Sequence, residues 1–323
     1  MAVLVTGGAG YIGGHMNLGL LDAGEKVVAL DNLSTGFAWA VPETAKLVVG
    51  DFGNSELVAR LIHEHEVDAI AHFAAKIVVP ESDVDPLGYY LNNTAKALNL
   101  IQCAVNGGVK NFIFSSTAAV YGTPHASPIL ETFPIAPVNP YGESKVMAET
   151  LFRWFDTIHG LRTIALRYFN ASGADPAGGL GEEHDPETHL IPLMLRAVVA
   201  GKPFTVFGND YATPDGTCIR DYIHVNDLAE AHILALEALL AGAPSDQFNA
   251  GAGTGHSVLE MIRGVEETTG RQVPYQFGPR REGDPPALVA NTDKLRRVLG
   301  WSPKYPGIRE IIASAWQFEE RRA

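Results

Sequence analysis

Tyr141 and Lys145 stand four residues apart in the run Tyr141-Gly142-Glu143-Ser144-Lys145. On a helix that spacing places a phenol and an ammonium on one face. A neighbouring cation favours the phenolate and lowers the tyrosine pKa from its reference of about 10. The result is a base able to take a proton from an alcohol near neutral pH. The pair gains meaning from the start of the chain, Val5-Thr6-Gly7-Gly8-Ala9-Gly10-Tyr11-Ile12-Gly13. Gly7, Gly10 and Gly13 follow an apolar strand and open a helix, so the backbone can approach a pyrophosphate whose charge rests on the helix N-terminus. A glycine-rich structural turn is the alternative. Asp31 ends the next strand, where its carboxylate suits the two ribose hydroxyls of NAD and repels the extra phosphate of NADP. Together these residues point to NAD-linked redox chemistry on an alcohol.

Ser115-Ser116-Thr117 ends a later strand, ahead of a helix whose start is signalled by Asn139-Pro140. A hydroxyl there, beside Tyr141 and Lys145, completes a proton-handling triad. Asp51 closes the third strand and suits either an adenine amino group or a plain loop cap. In His72-Phe73-Ala74-Ala75 the small residues let the backbone near a cofactor, while His72 reads as a satisfied core histidine.

The elements that must hold these groups alternate. Apolar runs at Ala2–Thr6, Lys26–Leu30, Lys46–Val49, Val67–Phe73, Asn111–Ser116 and Thr163–Tyr168 read as buried strands. Helical patterns lie between them near 12–23, 54–65, 86–106 and 141–159. Such alternation predicts an α/β fold, a Rossmann-type doubly wound parallel sheet with ligands at the carboxyl ends of its strands. Residues 1–170 form the expected NAD-binding domain, to which the chain returns around 221–250. Residues 171–323 form a smaller C-terminal α/β substrate domain, with strands at Phe204–Phe207 and Val273–Phe277 and helices near 190–200, 227–241, 257–269 and 306–321.

Composition narrows the partners. The 323 residues carry a net charge of −13, which argues against nucleic acid or an anionic membrane as main partner. Cys103 and Cys218 have no metal-ligand spacing and form no disulfide framework, and no metal is expected. No apolar run approaches the roughly 18 residues that span a bilayer, and a strand starting at residue 2 leaves no room for a signal peptide. A cytoplasmic protein is the expectation.

The motifs resemble the extended short-chain dehydrogenase/reductase family, and within it the UDP-glucose (UDP-galactose) 4-epimerases. The resemblance runs through Thr6–Gly13, Asp31-Asn32, Asn92-Asn93, Phe114–Thr117, Ala119–Gly122, Asn139–Lys145 and Leu166–Asp175. It continues through Val206–Tyr211, Asp215–Val225, Arg280–Asp284 and Leu299–Tyr305, so it covers nearly the whole chain. It implies that Tyr141 takes the 4-hydroxyl proton of a UDP-hexose while the C4 hydride passes to tightly bound NAD. The 4-keto sugar then turns over and hydride returns to its other face. Lys145 tunes Tyr141 and holds the nicotinamide ribose, and Thr117 bonds the substrate hydroxyl. The implied cofactor contacts are Gly7, Gly10, Tyr11, Ile12, Gly13, Asp31, Asn32, Asp51, Phe52, Phe73, Ala74, Ala75, Asn92, Ser115, Tyr141, Lys145 and Tyr168. Arg220 and Arg281 would pair with the diphosphate, a task suited to arginine. Asn170 would bond a phosphate or sugar oxygen, Phe207 would pack on uracil and Asp284 would accept from the uridine ribose. Thr117, Tyr141, His189, Leu190, Tyr222, Val258 and Leu288 complete the implied substrate site. Family members form homodimers through the helices near 88–106 and 141–159, where Leu98, Ile101, Leu151 and Phe155 are apolar.

Several positions depart from the family pattern. Thr117 stands where serine is usual, and both supply a hydroxyl. Ala118-Ala119 replace the Asp-Glu of related dehydratases, which removes the acid and base that eliminating water needs. His189 stands in place of an asparagine, which would make phosphate binding pH-sensitive. Ile77 occupies a position often held by lysine, with Lys76 before it. Leu288 gates the sugar pocket and is intermediate in size, so N-acetylhexosamines and pentoses remain alternatives to plain hexoses.

Overall fold

A computed structural model describes residues 1–281 and 283–322. Glu282, within the Arg280–Asp284 stretch, and Ala323 lie outside the described residues. Seven parallel strands make the main sheet: β1 (Ala2–Thr6), β2 (Lys26–Asp31), β3 (Lys46–Val49), β4 (Ala69–His72), β5 (Asn111–Thr117), β6 (Arg162–Tyr168) and, after three strands that lie elsewhere, β10 (Asp246–Ala250). Their spatial order is β10-β6-β5-β4-β1-β2-β3. The order reverses between β1 and β4, and a crevice opens there at the carboxyl ends.

Alternation along the strands explains why both faces are covered. In β1, Val3 and Val5 join one apolar cluster, with Met16 and Leu20 of α1 (Tyr11–Asp22). Leu4 joins the opposite cluster, with Val58 and Leu61 of α2 (Ser55–Glu64). Two short helices follow β4, α3 (Val79–Val84) and α4 (Pro86–Tyr89). Leu100 of α5 (Lys96–Asn106) and Phe152 of α6 (Pro140–His159) extend that second cluster. This is a Rossmann-type doubly wound α/β sheet.

Most of the other strands and helices build a smaller body. β7 (Asn170–Ser172) pairs in parallel with β9 (Ile219–His224). β9 also pairs with β11 (Gly255–Ser257) and β13 (Ala287–Leu288), while β8 (Phe204–Phe207) pairs with β12 (Tyr275–Gly278). A third apolar cluster joins α7 (Leu190–Ala200), α9 (Val258–Thr269) and α11 (Ile308–Glu320) through Leu195, Met261 and Ile312. The helix α8 (Val225–Leu240) contributes Leu228 and Leu236 to the first cluster, beside α1, and α10 (Asp293–Leu299) adds Leu295. The buried carboxylate of Asp221 on β9 accepts from the backbone N–H groups of Ala252, Gly253 and Ala290, tying β9 to the segments after β10 and β13.

The helix expected over 86–106 is interrupted. Between α4 and α5 the stretch Tyr90–Ala95 winds as a π-helix, and Asn93 within it is buried. Ile101, expected on an exposed dimer face, is fully buried in the second cluster, because helix α5 uses it to cover the sheet. Among the described residues no helix is long and apolar enough to cross a membrane.

Candidate active site

The glycine turn leaves no space for side chains. Gly7 has φ +74°, and a Cβ there would lie 2.5 Å from the Ala74 nitrogen. At Gly13 a Cβ would lie 2.1 Å from the Gly7 carbonyl oxygen. These contacts pull the start of α1 against the end of β4, and no side chain caps α1 at Gly10. Its first N–H groups therefore face the crevice as donors, which fits a pyrophosphate. Asp31 accepts from the N–H groups of Ala9 at 3.0 Å and Leu33 at 2.8 Å, which fixes the carboxylate beside the turn.

Around this edge the expected cofactor residues divide. Phe73 and Ala74 both donate their N–H to the Thr6 carbonyl, which lays the backbone through Ala75 beside Gly7. Burial opposes ionisation of Asp51, but Lys96 at 2.6 Å and the Gly53 N–H outweigh it and hold the carboxyl below its usual range. Asn32 is exposed beside it, and the Phe52 ring packs 4.9 Å from His72. His72 is bonded to Thr6 Oγ1 at 2.6 Å, and burial pushes it down to about 3, so it is a neutral core group. Ile12 packs on the core, and the Tyr11 hydroxyl donates to the Gly173 carbonyl at 2.6 Å. The pair Asn92-Asn93 splits: Asn93 clamps the Lys76 backbone through both its amide atoms, while Asn92 donates to Asn93 Oδ1. Lys76 itself turns its ammonium to Glu81 and Asp85.

The triad assembles where β5 meets α6. Lys145 Nζ donates to the Ser115 carbonyl at 2.8 Å and lies 6.0 Å from the centre of the Tyr141 ring. Thr117 ends β5, and its hydroxyl also accepts from the Ala119 N–H. The electrostatics correct the expectation of a lysine-lowered phenol. Burial pushes the Tyr141 phenol up, and the group that pulls it back is Thr117. Burial also pushes Lys145 down to about 7, against the opposing pull of Glu149, so near neutrality its charge is only partly available to Tyr141. Tyr168 donates to Ser115 Oγ from the neighbouring strand, so these two residues satisfy each other.

The residues expected to hold the nucleotide are paired with one another. Arg220 forms an ion pair with Asp284, to which the Tyr211 hydroxyl also donates. The Arg281 guanidinium sits 4.3 Å over the Phe207 ring. A diphosphate and a uracil at these residues would have to share or displace those contacts. Asn170 donates to the Asp221 carbonyl. Tyr222 and Val258 are buried in the third cluster, with Leu190 packed against it. Leu288 is in register with Arg220 and packs with Val120, Tyr121 and Phe169, joining β9 to the turn after Thr117.

His189 also departs from expectation. Burial beneath neighbouring parts of the chain opposes its charge, although its side chain is 49% exposed, and Glu182 and Glu187 outweigh that and raise it to about 9. The pH-sensitive range therefore lies above the neutral window foreseen for a free histidine.

Two groups escaped the sequence reading. Arg167 makes a two-pronged ion pair with Glu149 at 2.9 and 2.6 Å and donates to the Tyr121 hydroxyl at 3.0 Å. Glu149 lies one turn beyond Lys145 on the face carrying Tyr141 and also accepts from Ser116 at 2.5 Å. The four-residue repeat Tyr141, Lys145, Glu149 was a visible signal for it. The second group is Glu182, His184 and Glu187, gathered beside His189. Four donors within eight residues were its signal.

Comparisons with known proteins agree with this geometry. The model of the NAD dependent epimerase/dehydratase family matches residues 3–251. The chain is 52% identical to a UDP-glucose 4-epimerase of Azospirillum brasilense over 98% of its own length and 91% of the relative's. It resembles a UDP-glucose 4-epimerase from Brucella ovis crystallised with NAD, with TM-score 0.95, 44% identity, and coverage of 98% of this chain and 97% of that one. It also resembles the Stenotrophomonas maltophila UDP-glucose 4-epimerase bound to NAD and formylated UDP-arabinopyranose, with TM-score 0.96, 37% identity and 100% coverage of each chain.

Proposed function

Because the chain belongs to the NAD dependent epimerase/dehydratase family, we propose that it interconverts UDP-galactose and UDP-glucose by transient oxidation at sugar C4. The C4 hydrogen of a hexose has no useful acidity, so inversion by simple deprotonation is closed. NAD would be held at the glycine turn and Asp31, and would supply a hydride carrier facing C4 of the sugar. The tight approach of Gly7 and Gly13 to backbone is the feature that fits its pyrophosphate.

The observation that carries the proposal is the meeting of Tyr141, Thr117 and Lys145 at the end of β5, one strand from the crevice. Tyr141 removes the 4-hydroxyl proton, Thr117 bonds that hydroxyl, and Lys145 fixes the face of α6 against β5. Ala118 and Ala119 follow Thr117 in a single 3-10 turn and offer no acid or base for dehydration. Residues 1–170, with the return at 221–250, bind the cofactor, and residues 171–323 bind the UDP-sugar. Arg220, Arg281, Phe207, Asp284, Asn170 and His189 hold the nucleotide and diphosphate, and Leu288 borders the sugar.

The chain pairs as a homodimer through α5 and α6, which leave Leu98, Met147, Trp154 and Ile158 exposed. Sedimentation equilibrium showing only monomer would remove that part. Cys103 and Cys218 are free, in keeping with a cytoplasmic setting. The function itself is tested by incubating the protein with UDP-galactose and no added cofactor, then separating products by chromatography. UDP-glucose should form to equilibrium without accumulation of NADH. Stoichiometric NADH would instead mark a net dehydrogenase.

A further inference from the structure

Between β7 and α7 the chain runs Gly181-Glu182-Glu183-His184-Asp185-Pro186-Glu187-Thr188-His189. Glu182, His184, Glu187 and His189 each bring one donor atom into a group whose members all lie within 4.8 Å of one another. The proposed reaction has no use for the first three. The Glu182 and Glu187 side chains are only 5% and 3% exposed; Glu182 is in contact with His189, but among the described residues Glu187 has no cation at hydrogen-bonding distance, an unfavourable setting for a buried carboxylate. Arg196 reaches Glu187 only at 3.6 Å and is shared with Glu319 at 3.7 Å.

The distances inside the group are informative. His184 Nδ1 lies 3.6 Å from a Glu182 oxygen and 3.5 Å from a Glu187 oxygen. His184 Nδ1 and Glu187 Oε2 are buried and have no hydrogen-bond partner. Ligands of one tetrahedral zinc, each about 2.0–2.2 Å from the ion, lie roughly 3.3–3.6 Å from one another. The two His184 distances are thus long for hydrogen bonds and close to those of atoms sharing an ion, while His189 Nδ1 and Glu182 already touch as a hydrogen-bonded pair.

We propose that Glu182, His184, Glu187 and His189 bind a divalent transition-metal ion, zinc by its donor chemistry of two imidazoles and two carboxylates. Four protein donors close the coordination sphere, so the ion is structural. It fastens the segment after β7 to the start of α7, where His189 precedes Leu190. It also neutralises carboxylates close enough to Tyr11 on α1 to oppose ionisation of that phenol. With Nδ1 on the metal, His189 keeps its remaining proton on Nε2 and stays a hydrogen-bond donor.

The test uses full-length protein without an affinity tag. After treatment with a chelator, incubation with zinc chloride and desalting, it should retain one zinc per chain by plasma mass spectrometry. Cobalt(II) in its place should give the intense visible bands of tetrahedral coordination. Glu187→Gln and His184→Asn should each reduce retained zinc to background, with circular dichroism and NAD content unchanged. Wild-type protein holding zinc only at background overturns the proposal, and that result stands whether or not a variant folds. Folded variants that retain a full equivalent overturn it as well.

Discussion

The ammonium of Lys145 and the backbone carbonyl of Ser115 are joined at 2.8 Å, a bond that fastens α6 to the end of β5. Nearly all of the lysine is buried, and the bond holds one face of α6 so that Tyr141 and Thr117 meet. Positioning is therefore the first contribution of Lys145 in the cofactor-free protein, and lowering the phenol pKa is secondary.

That arrangement has a pH signature. Lys145 titrates at about 7 when folded, below its ordinary 10.5. Between those values the unfolded chain binds more protons, so stability rises with pH across the window, falls as pH drops from 10.5 towards 7, and levels off below 7. The slope is at most about 1.4 kcal/mol per pH unit. Urea midpoints of NAD-free protein at pH 7 to 10 should show it, and Lys145→Met should remove it. Parallel curves for the two proteins would count against the buried cation.

Gly13→Ala should strip the cofactor. The added Cβ would lie 2.1 Å from the Gly7 oxygen, so the turn must open. Purified variant should carry far less NAD per chain than wild type, measured after acid release. Full occupancy would show that the turn tolerates a side chain.

Glu149→Gln should weaken the fold more than a surface substitution does. It leaves the buried Arg167 guanidinium without its carboxylate, a change of about 3–5 kcal/mol for breaking one side of a buried pair. Chemical denaturation measures it, and a loss below about 1 kcal/mol would mean that Tyr121 and water suffice for Arg167.

Strands with nearly continuous apolar runs, such as Ala2–Thr6, were legible because burial on both faces of a parallel sheet demands them. β10, reading Asp-Gln-Phe-Asn-Ala, carries polar residues at positions that hydrogen bonds satisfy, and its periodicity is lost. The π-helical stretch at Tyr90–Ala95 depends on Asn93 clamping Lys76, which no spacing within the helix reveals. In the site, the glycine turn and the Tyr141–Lys145 pair are local patterns and could be read directly. The pairing of Arg220 with Asp284 joins residues 64 positions apart, and the grip of Glu149 on Arg167 crosses from helix to strand. Contacts of that kind follow only from the fold.

Leu288→Tyr should narrow the sugar pocket selectively. Leu288 packs with Val120, Tyr121 and Phe169 beside the Thr117 loop. A larger ring there should lower turnover of UDP-N-acetylglucosamine relative to UDP-glucose, read as the ratio of kcat/KM. An unchanged ratio would remove Leu288 as the gate.

The central claim is oxidation at C4 by hydride loss, with Tyr141 as base, followed by return of the same hydride to C4. UDP-galactose deuterated at C4 tests it directly, with product analysed by NMR and Tyr141→Phe run in parallel. The account predicts UDP-glucose that keeps its deuterium at C4, and at least about a 100-fold loss of rate in the variant with NAD still bound. Deuterium washed out into solvent, or near-normal turnover by Tyr141→Phe, would contradict it.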